Sequence, residues 1–240
     1  MSHNSQKDLA GNTRFCQFYG YFTTGFAADS TPPAVLATDP ADGDVGVPVN
    51  AQVTVQLSEA VDPTSVNAAT VQVRRGGAAV AAILTLEDGD RRLRLVPSSP
   101  LVASAGHTLT LSGLRDRAGN ALAAPLTVSF TTGPGADLVG PTVTGVNPVD
   151  GATGVARDIA PTVVFSEAVN PLTVNTMTVQ LQSISTGIVE ATVTLDAGRR
   201  VGTLTPAAPL EPDTTHCLFT NVRDTAANLG FSRSCFTTGP

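Results

Sequence analysis

The chain has no tryptophan, a single lysine (Lys7) and two methionines in 240 residues, and only 14% of it is charged. Each scarcity removes a class of function. Without Trp, and with Tyr19 and Tyr21 both near the start, most of the chain lacks the flat aromatic platforms on which sugars stack. A net charge of −6 with almost no lysine repels phosphate, so nucleic acid and membrane surfaces are not expected partners. No apolar run approaches ~18 residues, which excludes a spanning helix. Residues 1–7 are polar with no apolar segment behind them, so no secretion signal is read there. There is no Gly-Xaa-Ser-Xaa-Gly, no phosphate loop and no Cys-Xaa-Xaa-Cys. No catalytic residue, cofactor or bound metal is expected. Three cysteines is an odd count, which suits a chain that has lost one partner.

What is present is repetition. An Asp-Xaa-Ala-Xaa-Asn turn followed by a strand ending Phe-Thr-Thr-Gly occurs three times: Asp8–Asn12 with Phe22–Gly25, Asp116–Asn120 with Phe130–Gly133, and Asp224–Asn228 with Phe236–Gly239. The first two copies lie 108 residues apart (116 − 8). A fixed period of domain size decides the architecture: two full repeats preceded by the end of a third. Even the linker repeats, Asp29 and Pro33 matching Asp137 and Pro141.

Within repeat one, Val53, Val55 and Leu57 alternate with Thr54 and Gln56, the period of a half-buried strand. Ser58-Glu59-Ala60-Val61-Asp62-Pro63 breaks it, and one helical turn is expected over 64–68. A short strand is expected at 34–37, and further strands near 70–75, 79–86, 91–96, 107–112 and 126–132, separated by Gly76-Gly77, Asp88-Gly89 and Pro97–Pro100. Repeat two retraces the plan. Seven short alternating strands in about 100 residues predict a two-sheet antiparallel sandwich.

The segments TPPAVLATDPADGDVGVPVNAQVTVQLSEAVDP, DRAGN and FTTG resemble the bacterial Ig-like domains of S-layer and other surface proteins. The resemblance covers both repeats and the leading fragment. It implies an extracellular or cell-surface setting, tandem arrays and no catalysis. The fold expected is all-β: two tandem seven-stranded Ig-like antiparallel β-sandwiches at 31–134 and 139–240. Residues 1–30 would be an orphan terminal strand of a preceding repeat plus linker. The implied function is a structural spacer or adhesive stalk segment of a secreted or surface-anchored bacterial protein, each sandwich adding roughly 40 Å of reach. Expected partners are neighbouring repeats of the same chain and cell-surface or matrix components. The alternatives are an accessory module of a secreted hydrolase and a ligand-binding adhesion module. Ala227 stands where this family usually has Gly, and the last hairpin of repeat two is two residues shorter, since 236 − 130 is 106, so that loop is expected to differ in conformation.

Several side chains need a reading of their own. The Asp-Xaa-Ala-Xaa-Asn turns are read as self-capping turns rather than ligand loops. Glu59 and Glu167, at the strand breaks, have no second acid at a fixed spacing for acid–base work. Asp39, Asp42 and Asp44 do not follow the order of a calcium loop, and Ala152 replaces Asp44 in the second copy. His107 and His216 hold equivalent places where the family usually has an aromatic, and are read as packing residues. Aligning His107 with His216 and Phe130 with Phe236 sets Cys217 and Cys235 on one face of neighbouring strands, where a disulfide is expected. Counting strands puts Asp137 in the linker, Glu167 and Asp224 at the facing pole of repeat two, and Asp42 and Asp44 near the exit pole of repeat one, so these acids gather at the joint. A hard cation such as calcium could bridge them, but the preferred reading is solvated, mutually repelling acids. The orphan strand over 15–24 would have turned Phe18 and Phe22 toward a lost core.

Overall fold

The computed structural model describes residues 28–240 and, by backbone alone, Gln6–Lys7 and Thr13–Arg14. The expected orphan strand over 15–24, Cys16 and the first Asp-Xaa-Ala-Xaa-Asn turn lie outside the described residues. The chain divides into two compact units, Met1–Ser30 and Thr31–Pro240. In the first, β1 (Gln6–Lys7) pairs antiparallel with β2 (Thr13–Arg14). The second holds both full repeats.

Repeat one contains β3 (Val35–Asp39), β4 (Val53–Leu57), β5 (Val71–Arg75), β6 (Ala78–Ala79), β7 (Ala82–Glu87), β8 (Arg92–Pro97), β9 (Gly106–Leu111) and β10 (Leu126–Thr131). They form two four-stranded antiparallel sheets, β3-β4-β8-β7 and β10-β9-β5-β6. Repeat two contains β11 (Val143–Asn147), β12 (Thr162–Phe165), β13 (Val179–Ser183), β14 (Gly187–Ile188), β15 (Ala191–Leu195), β16 (Val201–Pro206), β17 (Thr215–Arg223) and β18 (Leu229–Thr237). Its sheets, β11-β12-β16-β15 and β14-β13-β17-β18, repeat the same order.

Each repeat therefore has eight strands where the pattern predicted seven. The stretch 79–86, read as one strand, is two. After Ala79 the chain makes a last ladder bond, Val80 N–H to Val73 C=O at 2.8 Å, and then crosses to the other sheet at Ala82. Gly76 and Gly77, at φ +53° and +84°, close the tight hairpin that leaves β6 only two residues. No Pro or Gly marks the crossing, so alternation alone could not show it.

Between the sheets the inward residues meet as expected. Val53, Val55, Leu57, Val71, Val73, Leu93, Leu95, Leu109, Leu111, Val128 and Phe130 are all buried in the first core. Val163, Phe165, Val179, Leu181, Leu204, Leu218 and Phe236 are buried in the second, with Leu195 half-buried at its margin. The break after each second strand is a 3₁₀ turn, Pro63–Ser65 and Pro171–Thr173. Asp62 and Asn170 cap these turns, their Oδ1 atoms accepting from Thr64 N–H (2.8 Å) and Leu172 N–H (2.9 Å).

His107 and His216 are buried beside Phe130 and Phe236, rings stacked at 5.5 and 5.8 Å. Each Nδ1 lies 3.0 Å from a backbone oxygen, of Ala105 and Thr214 respectively. Burial pushes the His107 imidazolium below its ordinary range. Both are ring-shaped packing elements.

The β17–β18 register places Cys217 directly opposite Cys235, as β9–β10 places Thr108 opposite Ser129. The two sulfurs are bonded at 2.14 Å. Cys217 is 3% exposed although it faces outward, because neighbours cover it; Arg233 Nη2 reaches its sulfur at 3.4 Å.

One close approach fixes how the linker enters repeat two. A Cβ on Gly140 would sit 2.3 Å from the Leu229 carbonyl oxygen, and one on Gly230 would sit 2.1 Å from that of Pro141. Only hydrogen fits at either position, so the linker runs flush along the start of β18.

Candidate functional site at the joint between the repeats

The residues that are neither core nor turn converge where repeat two meets repeat one. We call the end of a repeat facing the preceding chain its leading pole and the other its trailing pole. The linker is tied first. Asn50 Nδ2 donates to Asp137 C=O (2.6 Å), Asp137 N–H donates to Asn50 Oδ1 (2.9 Å), and Asn228 Nδ2 also donates to Asp137 C=O (3.1 Å). The poles are then stitched together. Gln52 N–H donates to Thr225 C=O at 3.0 Å, and Asn170 Nδ2 donates to Thr54 Oγ1 at 3.3 Å in a buried setting.

At the centre Arg199, in the turn between β15 and β16, reaches across to two carboxylates of repeat one. Its Nη1 lies 3.0 Å from Asp39 Oδ1 and its Nη2 2.8 Å from Asp44 Oδ2. Thr225 Oγ1 donates to the same Asp39 oxygen at 3.1 Å. Asp39 is fully buried and its other oxygen, Oδ2, has no partner. Burial raises its pKa to about 7, and the Thr225 hydrogen bond and Arg199 charge only partly offset this. The strand count places Asp44 at this joint, as expected, but does not show its partner Arg199 or the part played by Asp39, while Asp42 serves the fold by accepting from Ser129 N–H at 2.8 Å. The available signal was internal: Asp39 and Asp44 become Asn147 and Ala152 in repeat two.

Beside the clasp lie three of the acids expected at the joint. Asp137, Glu167 and Asp224 each offer an oxygen within 4.8 Å of the other two. They are not the solvated acids of the preferred sequence reading: Asp224 is 3% exposed and the other two are half-buried. The Asx turn draws Asp224 inward, because its two oxygens accept from Asn228 N–H (2.9 Å) and Asn228 Nδ2 (2.8 Å). Burial pushes Asp224 up, and Asp137 adds to the push against the lowering by Asn228. Glu167 rises to about 7 through burial first, then the charge of Asp137, its hydrogen bond to Asp137, and the charge of Asp224. Three gathered carboxylate oxygens suit a proton or a hard cation that takes oxygen ligands. Glu59, the repeat-one counterpart of Glu167, is also half-buried.

The same Asx turn recurs at Asp116, whose oxygens accept from Asn120 N–H (2.8 Å) and Nδ2 (2.7 Å). Burial lifts Asp116, but the Asn120 side chain and the backbone N–H groups of the turn outweigh it and hold it below its ordinary value. Both turns are self-capping. In repeat two the shorter hairpin differs as expected: β17 and β18 pair up to Arg223–Leu229, whereas β9 and β10 stop at Leu111–Leu126. Ala227 keeps the turn itself, adopting φ +68°, the left-handed region that Gly119 occupies at +95°. An L-residue there is strained by ~1–2 kcal/mol, of which glycine's extra freedom in the unfolded chain cancels part. Ala227→Gly should therefore stabilise repeat two by about 0.5–1 kcal/mol in urea denaturation. A loss of stability would mean that the methyl group packs usefully.

The stitched poles themselves border a cleft of about 610 Å³, with Gln52, Thr54, Asn170 and Thr225 in its wall. Its lining includes Arg92 and Arg94 of repeat one and Asn175, Asn221 and Arg223 of repeat two. Arg94 Nη2 pairs with Glu87 at 2.7 Å, while its buried Nε has no partner. Arg223 is committed to its own turn, donating to Ala227 C=O at 2.7 Å as Arg115 does to Gly119 C=O.

Likeness to known proteins follows the repeat plan. Residues 29–132 and again 137–238 match the sequence profile described as a bacterial Ig-like domain. No curated protein matches the chain. Among solved structures, CopC from Methylosinus trichosporium OB3b is 17% identical, covering 45% of this chain and 99% of its own, with TM-score 0.36. The N-terminal part of the bacterial S-layer protein SbsC is 12% identical over 88% of this chain, with TM-score 0.37; only 45% of that chain is spanned. An L,D-transpeptidase from Mycobacterium smegmatis is 15% identical over 84% of this chain and 80% of its own, with TM-score 0.34. Likenesses this remote carry no argument beyond themselves. The profile match does, since it spans both sandwiches: the chain belongs to the bacterial Ig-like domain family and carries two of its domains in tandem.

Proposed function

We propose that the two domains act as a stiff, non-catalytic spacer in a secreted or surface-anchored bacterial protein. The observation carrying this reading is the joint. A free linker would let neighbours swing, whereas here the linker is bonded at Asp137 and an arginine links two carboxylates of the preceding domain. Such a joint transmits orientation and tension from one domain to the next. Pulling the chain by its ends should give two unfolding steps, one of roughly 330–360 Å of contour for about 100 residues of repeat one at ~3.3–3.6 Å each, and one about 60 Å shorter for repeat two, whose disulfide keeps 18 residues out of the extension. Extension without discrete steps would sink the spacer reading.

The cleft favours one alternative, a ligand-binding adhesion module, through the unpartnered Arg94 Nε and the amides facing it. Saturable binding of the purified chain to one glycan or protein, abolished in Arg94→Ala, would support that alternative over the spacer.

A further inference from the structure

Among the described residues, the side chains that form the clasp at the joint are not repeated at the equivalent positions of the other two poles, and the differences are all in charge. Backbone hydrogen bonds establish which positions correspond. Val61 N–H donates to Asp90 C=O (3.0 Å) as Val169 N–H donates to Arg199 C=O (2.9 Å), so Asp90 is the repeat-one equivalent of Arg199. Both lie in the left-handed region, at φ +67° and +58°. The peptide bond into proline is cis after Asp39 and after Asn147, and Thr131 N–H donates to Asp44 C=O as Thr237 N–H does to Ala152 C=O. These matches make Asn147 and Ala152 the repeat-two equivalents of Asp39 and Asp44.

We infer that the Asp39–Asp44 pair is a receptor selective for a following Ig-like domain that carries arginine at the left-handed turn position. The order of domains would then be specified by charge at the poles. Repeat two satisfies the requirement with Arg199. Repeat one does not: it presents Asp90, which is already paired with Arg117, a residue that becomes Thr225 in repeat two. A domain like repeat one placed after repeat one would set another carboxylate against Asp44 and the buried Asp39 with no guanidinium between them, an arrangement that disfavours that order. The trailing pole of repeat two, with Asn147 and Ala152, lacks the two carboxylates that hold the guanidinium in repeat one.

Thr225 completes the exchange. Its hydroxyl donates to Asp39, a task Arg117 could not perform in repeat one while holding Asp90. Two substitutions at the leading pole (Asp90 to Arg199, Arg117 to Thr225) and two at the trailing pole thus separate the domains into a donor and an acceptor of the clasp. The selectivity does not depend on the spacer reading, because it would hold for any role of the tandem.

The test uses the full chain and residual dipolar couplings, which report whether two domains share one alignment tensor. The unaltered chain should fit one tensor across 31–240. Arg199→Asp, which installs repeat one's residue in repeat two, should split it into two. Asp39→Asn/Asp44→Ala, which installs repeat two's residues in repeat one, should also split it, though less. Combining all three should bring the tensors closer together than Arg199→Asp alone, because the carboxylate repulsion is gone. Core amide shifts unchanged in every variant would show that each sandwich remains folded. Asn147→Asp/Ala152→Asp, at the trailing pole of repeat two and away from the joint, should leave the single tensor intact. The inference is overturned if Arg199→Asp retains a single tensor. It is equally overturned if Arg199→Ala splits the tensor as far as Arg199→Asp, since charge sign would then select nothing.

Discussion

Replacing Cys217 and Cys235 together by Ser should lower the stability of repeat two by about 3 kcal/mol, the chain-entropy value for a loop of this size. The bridge spans 18 residues and joins the strands that form one sheet edge of that repeat. Repeat one has Thr108 and Ser129 at the matching positions and its own separate core, so its unfolding transition should remain in place. Calorimetry of the double variant, or of the reduced chain, should show one transition moved and one unmoved. Free-thiol titration of the unfolded, unreduced chain should count one, that of Cys16. A count of three would end the proposal, and equal shifts of both transitions would show that the domains do not melt separately.

Stability should also fall as pH rises from 5 to 8, the reverse of the usual carboxylate behaviour. In the folded chain Asp39 keeps its proton up to about 7, against an ordinary value of 3.8. Between those values the folded state binds more protons than the unfolded one, so raising the pH favours unfolding. Only the stretch from pH 5 to about 7 lies inside this window, and two pH units at ~1.4 kcal/mol each give an expected effect of about 2–3 kcal/mol. Glu167, raised to about 7 by burial and by Asp137 and Asp224, pushes the same way. Its partial exposure limits its share to about 1 kcal/mol. Asp62 and Asp196, both held low by hydrogen bonds, act in the opposite sense below their ordinary range, outside this window, whereas His107, held low by burial, opposes the decline within it. Thermal midpoints in chelator should therefore decline between pH 5 and 8, and Asp39→Asn should remove most of the decline. A flat profile in the unaltered chain, or an equal slope in the variant, would refute the assignment.

The period of the sequence carried the domain plan and most of each core, because alternation in strands such as Val53–Leu57 and Val179–Ser183 maps directly onto buried and exposed faces. The His107/His216 and Phe130/Phe236 alignments were enough to place Cys217 opposite Cys235. Asp137, Glu167 and Asp224 could be assigned to one joint by counting strands, but not their burial, which depends on the two poles closing over them. The clasp was out of reach for a different reason. Arg199 and Asp39 are 160 residues apart, and an arginine in a turn ordinarily belongs to solvent. The crossing at Val80-Ala81 was hidden because small apolar residues suit either sheet. Ala227 misled in the other direction, since the Asx bonds from Asn228 hold the turn in place without glycine.

Domains so alike, joined so closely, face a hazard of their own: during folding a strand of one can insert into the unfinished sheet of its neighbour. The flush passage of Gly140–Pro141 beside Leu229 and Gly230 works against that outcome. Farther along the same strand, Gly151 N–H bonds to Cys235 C=O and Thr237 N–H to Ala152 C=O. Once the linker and this segment are laid down, they cover both ends of the β18 edge, and each chain seals its own second domain against strand exchange with the first.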